Sequence, residues 1–118
     1  MKKIYHLSSC STCQRIIKEL ELVDRGFQSQ DIKTDNIEAY VLDNLVKEYG
    51  SYEALFSRRA LKFRVMGLHE KDVSEKEFRE LVLSEYTFLK RPVMLIGESS
   101  FIGNSKKVVE AAKSKLNE

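Results

Sequence analysis

The chain has 118 residues, of which 42% are apolar and 32% charged, the balance of a protein with one packed core. Its 20 lysines and arginines against 18 aspartates and glutamates leave a formal charge of +2. That charge is too small to mark a nucleic-acid binder, no apolar run reaches the length of a membrane span, and no leader-like apolar stretch follows "MKK". The composition therefore reads as a single cytoplasmic domain over residues 1–118, with neither membrane nor nucleic acid as a direct partner.

In chain order, "KKIYHL" (2–7) is short, β-prone and bounded by serines, and reads as a strand. Cys13, Ile16, Ile17, Leu20 and Val23 then recur at helical spacing, with Gly26 placed to end the helix. "FQSQDIK" (27–33) is a second strand. Strand, helix, strand in so short a span predicts a βαβ unit with parallel strands. Ile37, Tyr40, Val41 and Leu45 mark a helix ending near Gly50, and Ser51 caps a short helix through Leu55. "RALKFRVM" (59–66) forms another before Gly67. In "VSEKEF", Ser74 and Glu77 match a capping box, with Val73 and Phe78 at the positions of a hydrophobic staple. Phe78, Leu81 and Val82 give that helix its buried face.

The β character then returns. "RPVMLI" (91–96) follows the only proline, Gly97 and Glu98 turn the chain, and "SFI" (100–102) is an antiparallel partner. Asn104 or Ser105 caps a last helix with Val108, Val109, Ala112 and Leu116 inward. The fold class is α/β, in the order βαβ, helices, ββα. The core comprises 1–34 and 90–118, and 35–89 is a helical insert.

The only cysteines, Cys10 and Cys13, sit in "SSCSTCQR" at the junction of the first strand and helix. Residues three apart share a helix face, so two sulfurs at this spacing can close a disulfide. Cys10, at the helix mouth, meets unpaired amides and the positive end of the helix dipole, which favour a thiolate. Cys13 lies on the apolar face and is the more protected. This order makes Cys10 the attacking sulfur and Cys13 the resolving one. The amides of Ser11 to Gln14, with the Ser11 and Thr12 hydroxyls and Arg15, can hold an oxyanion over Cys10. Two other uses of the pair stay open. One is zinc, for which only His6 and distant His69 would complete four ligands. The other is simple space-filling on a helix face. No bound metal and no tightly held cofactor is expected.

Taken together, "CSTC" opening a helix after a strand, "LFSRRALKFRVMGL" (55–68), "LKRPVMLIGE" (89–98) and "GNSKKVVEAA" resemble the arsenate reductase-like family. That family includes glutaredoxin-dependent arsenate reductases and the Spx-type transcriptional regulators. The resemblance runs nearly the whole chain and implies a thioredoxin-like fold with a helical subdomain inserted in the middle. It implies that Cys10 is the nucleophile, that Arg91 faces a bound oxyanion, and that Pro92 is the fold's cis-proline. Cys13 corresponds to the second cysteine of the Spx-like members. Gln14 stands where the reductases carry an arginine, Arg58 or Arg59 falls near a second, and a third has no counterpart. The resemblance further implies glutaredoxin or thioredoxin as reductant, with glutathione as a co-substrate. For a regulator, RNA polymerase would be the partner.

Overall fold

The computed structural model describes residues 1–118. It has four strands, β1 (Lys2–His6), β2 (Gln28–Asp31), β3 (Val93–Ile96) and β4 (Ser99–Ile102). Its five α-helices are α1 (Ser11–Glu19), α2 (Ala39–Tyr49), α3 (Leu61–Val65), α4 (Glu75–Ser84) and α5 (Lys106–Leu116). Two units are distinct: Met1–Asn36 with Arg91–Glu118, and Ile37–Lys90. No helix is long and apolar enough to cross a membrane.

The first unit is a sheet of order β2-β1-β3-β4. β1 runs parallel to β2, with Ile4 opposite Ser29, and antiparallel to β3, with Ile4 opposite Met94. The parallel pair requires a crossover, and α1 supplies it. β3 and β4 are a hairpin turned at Gly97, whose φ of 64° suits a two-residue connection. Cross-strand neighbours point to one face, so Ile4, Met94 and Phe101 stand together. Ile16, Leu20, Leu22, Phe27, Ile96 and Ala112 complete the core on that side. Each fully buried large aliphatic there stabilises the fold by roughly 1.5–3 kcal/mol. Ile17, Val108, Val109 and Leu116 are half-buried at its margin.

The predicted face of α1 needs one correction, and so does its end. Val23 is 72% exposed, and Leu22 is buried in its stead. The helix stops at Glu19, well before Gly26. The cause is a stop signal made without glycine. Glu21 takes the left-handed conformation (φ 53°), its amide donates to the Lys18 carbonyl at 3.1 Å, and the Leu22 amide donates to the Ile17 carbonyl at 3.0 Å. These are the paired bonds of a Schellman motif, with Ile17 and Leu22 as its apolar contact. Arg25 then closes the unit. Its guanidinium donates to the carbonyls of Leu20 and Leu116 and to Asn117, at 3.1, 3.2 and 3.2 Å, joining the C-terminal ends of α1 and α5.

The second unit is helical. Its core is aromatic: Phe56 packs against Phe63, Phe78 and Phe88, with ring centroids 5.9, 4.8 and 4.8 Å away. The capping box at α4 is present. The Glu77 amide donates to Ser74 Oγ at 3.2 Å, and the Ser74 amide donates to Glu77 Oε1 at 3.2 Å. α2 ends on Gly50 with φ 91°, and Ser51 accepts the Ala54 amide at 3.1 Å. Tyr40, expected on the buried face of α2, is 68% exposed. Leu42 and Leu45 set that face, and Tyr40 lies two residues before Leu42, more than half a turn round the helix. Asp43 of α2 takes a two-pronged ion pair from Arg79 of α4 at 2.9 and 3.1 Å and a hydrogen bond from the Tyr52 hydroxyl at 2.6 Å.

Candidate thiol site

The first turn of α1 places the two sulfurs. Cys10 is the N-cap, with extended backbone angles (φ −88°, ψ 107°). Its amide is held by the Leu7 carbonyl at 2.9 Å, and its own carbonyl accepts the Gln14 amide at 3.1 Å. Cys10 is therefore half-in and half-out of the helix, with its side chain over unpaired amides. Cys13, one turn on, is fully buried, while Cys10 is partly exposed; both are free thiols. A helix entering from β1 at this angle turns residue 13 to the sheet and leaves residue 10 at the rim.

The two sulfurs differ in acidity for physical reasons. Burial works against a thiolate at Cys10. The main chain and thiol of Cys13 and the guanidinium of Arg91, set beside the Cys10 sulfur, outweigh it and hold the thiol below its ordinary range. At Cys13, burial dominates and pushes the thiol up to about 11, with the neighbouring Cys10 adding to the rise and a hydrogen bond from the Leu7 amide opposing it. One sulfur thus ionises more readily than an ordinary thiol, and its neighbour is kept protonated.

Arg91 belongs to the same unit as the cysteines and precedes Pro92, and the peptide bond between them is cis. The Pro92 carbonyl accepts the Gly103 amide at 2.9 Å, which ties this segment to the end of β4. Ser11 and Arg15 are exposed on the first turns of α1, and Thr12 is half-buried. Arg58 and Arg59 belong to the helical unit. There Arg58 pairs with Glu53 at 2.5 Å and lies over the Phe78 ring at 5.6 Å, and Arg59 is exposed. His69 is also in that unit, 3.6 Å from Glu70. No group of three or more His, Cys, Asp or Glu side chains is placed to hold a metal ion.

The sequence points to the main-chain amide of Gln14 but not to its side-chain bonds, and it does not point to Asp31. Gln14 donates from its side-chain nitrogen to the Leu7 carbonyl and to His6 Nδ1, each at 3.2 Å. Asp31 at the end of β2 accepts the amides of Ser8 at 3.4 Å and Lys33 at 3.1 Å. These bonds, chiefly those to Ser8, hold its carboxyl below the usual range. "DIKT" carries an Asx-turn signal, an aspartate two residues before a free amide, which would have flagged Asp31.

A helix opening on one acidic and one buried cysteine, with an arginine donating to the first from the segment before a cis-proline, defines a thiol protein of the thioredoxin-like fold. Residues 5–112 match the ArsC family, and the chain belongs to that family. Among solved structures it is similar to an arsenate reductase (ArsC) related protein from Brucella melitensis. That likeness has 26% identity and a TM-score of 0.70, covering 93% of this chain and 92% of that one. It is also similar to a possible arsenate reductase from Streptococcus mutans, at 28% identity and a TM-score of 0.68, covering 80% and 82% of the two chains. An arsenate reductase from Vibrio cholerae shares the fold at a TM-score of 0.77 and 17% identity, covering 92% and 95%. Family and neighbours together support a role in thiol redox chemistry.

Proposed function

We propose that the protein is a thiol–disulfide oxidoreductase of the arsenate reductase type, with Cys10 as nucleophile and Cys13 as resolving thiol. The observation that carries this reading is the asymmetry of the pair. The partly exposed Cys10 sulfur receives hydrogen bonds from Cys13 and Arg91, whereas the buried Cys13 stays protonated.

With a disulfide substrate, the Cys10 thiolate attacks one sulfur. The substrate S–S bond breaks, a mixed disulfide forms, and the departing thiolate takes a proton. Cys13 then gives up its proton and attacks the Cys10 sulfur, releasing the second substrate thiol and leaving a Cys10–Cys13 disulfide. Two electrons have passed to the substrate. With arsenate, Cys10 displaces one arsenic-bound oxygen as water. Attack of a second thiol on the Cys10 sulfur then leaves the S–As electron pair on arsenic, reducing it to arsenite. The second thiol is Cys13 or glutathione. Arg91 and the amides of Ser11, Thr12 and Cys13 would stabilise the anionic adduct, with the Ser11 and Thr12 hydroxyls and Arg15 at the same helix end; the Gln14 amide is already taken by the Cys10 carbonyl. Glutaredoxin or thioredoxin would return the dithiol to its reduced form.

NADPH oxidation coupled through glutaredoxin and glutathione tests this reading, with arsenate and a small disulfide as alternative substrates. Turnover that vanishes in Cys10→Ser is expected. Equal turnover in Cys10→Ser and the unsubstituted protein would end the proposal. The C-x-x-C spacing favours a second reading, because two thiols one helical turn apart can oxidise to a disulfide without a bound substrate. In that case the pair is a sensor, as in Spx-type regulators, and RNA polymerase is the partner. Capture of purified polymerase by only one redox form, with no turnover of either substrate, would select it.

A further inference from the structure

We propose that Gln14 is the positioning residue of the thiol pair, its side-chain amide fixing Leu7 and, through Leu7, the placement of both sulfurs. The inference rests on the reading of Cys10 as the attacking sulfur.

Leu7 is the residue on which the first turn of α1 hangs. Its carbonyl accepts two hydrogen bonds, from the Cys10 amide at 2.9 Å and from Gln14 Nε2 at 3.2 Å. Its own amide donates to the Cys13 sulfur. Gln14 Nε2 also meets His6 Nδ1 at 3.2 Å. A primary amide nitrogen carries two protons, and here both are directed at consecutive residues leaving β1. The strand side of this joint is anchored separately, because the His6 carbonyl accepts the Ile32 amide at 2.9 Å beyond the end of β2. The helix side is anchored by the Gln14 main chain, whose amide donates to the Cys10 carbonyl at 3.1 Å. Gln14 is thus bonded to the segment 6–10 through both its backbone and its side chain, and no other side chain closes that joint from α1 with two bonds.

The geometry demands a donor at position 14. Leu7 offers only a carbonyl oxygen, and His6 accepts through Nδ1, so its ring proton sits on Nε2. A carboxylate at position 14 would set oxygen against oxygen at Leu7. On the strand side Asp31, paired with His6 in the β1–β2 register, interacts electrostatically with that ring. Gln14 itself is exposed, so water can replace its two bonds at little cost to folding. Water cannot hold Leu7 in register, and the bonds of Leu7 to Cys10 and Cys13 move with it.

The test follows iodoacetamide labelling of the reduced protein across the acid-to-alkaline range, with Cys10 and Cys13 adducts separated by mass spectrometry. Gln14→Met keeps the length and removes the donors; Gln14→Glu keeps the shape and reverses the polarity. Expected is a Cys10 profile displaced to higher pH in Gln14→Met, its rate at neutral pH down about 3- to 10-fold. The displacement should be larger in Gln14→Glu, with the thermal midpoint of Gln14→Met little changed. Nitrogen-15 NMR of the unsubstituted protein should show neutral His6 protonated at Nε2. Profiles that coincide, or a His6 ring protonated at Nδ1, would overturn the proposal. Should the variants not fold, the His6 measurement decides. A parent protein whose Cys10 reacts only as an ordinary thiol counts instead against the assignment of the nucleophile, and the two failures are distinct.

Discussion

Cys10 and Cys13 differ by three positions in sequence and by opposite departures from the ordinary thiol value, which is near 9. The sign of the Cys13 departure fixes a pH window. Burial favours its neutral form, so the folded thiol keeps its proton up to about 11, whereas the unfolded thiol ionises near 9. The stabilisation this gives is whole below pH 9 and is lost as pH rises from 9 through about 11. Urea titrations at a series of alkaline pH values should show the midpoint falling in that window. In Cys13→Ala the slope should flatten, because alanine has no proton to release. An unaltered slope would mean that another group carries the alkaline transition. The same burial fits the resolving role proposed for Cys13. Its thiol cannot compete for substrate at neutral pH, yet its sulfur is a hydrogen bond away from Cys10.

At the scale of elements, two polar joints do what apolar pattern does not. Arg25 donates to carbonyls at the ends of α1 and α5, groups that helices leave unpaired. Arg25→Ala should destabilise the protein by about 1–2 kcal/mol, read as a drop in urea midpoint, since three hydrogen bonds are lost from a half-buried site. Arg25→Lys should recover only part, because an ammonium is one point donor where a guanidinium is a fork. In the helical unit, Asp43 is held at about 2 by the Arg79 guanidinium first and the Tyr52 hydroxyl second. Its folded value lies below the ordinary carboxylate value of 3.8, so its contribution is present above that pH and is lost as pH falls through about 2. The pair is over a third exposed, so solvent screening keeps its worth small. Asp43→Asn should lower the midpoint of thermal unfolding at neutral pH and leave it unchanged at the acid end, where the carboxyl is already protonated.

Over the whole molecule, the sheet unit depends on one buried layer. Met94 stands opposite Ile4 in the register of β1 and β3 and is fully buried. Met94→Ala should cost about 2–5 kcal/mol, measured by urea unfolding, while Met94→Leu should cost under about 1.5 kcal/mol because it keeps the volume. Much of this architecture is legible in local sequence. The apolar run "VMLI" after Pro92 marks β3, Ser74 and Glu77 mark the start of α4, and "CSTC" after a short strand puts both cysteines at the start of a helix. These are local signals, each carried by residues within one or two turns of each other. Val23 and Tyr40 misled because periodicity reports a face and is blind to where the helix stops or which neighbour covers it. α1 ends at Glu19 and the chain turns left-handed at Glu21, a residue without glycine's freedom, with Leu22 buried and Ile17 packed against the same core. Tertiary packing alone sets Arg91, 81 positions after Cys10 in the chain, beside its sulfur. It also decided that Gln14 and Leu7 join the two thiols and that Arg25 ties the two helix ends. Hydrogen bonds of that kind have no period and no fixed spacing. They exist once the sheet has brought distant backbone and side chains within about 3 Å, a distance that no one-dimensional pattern encodes.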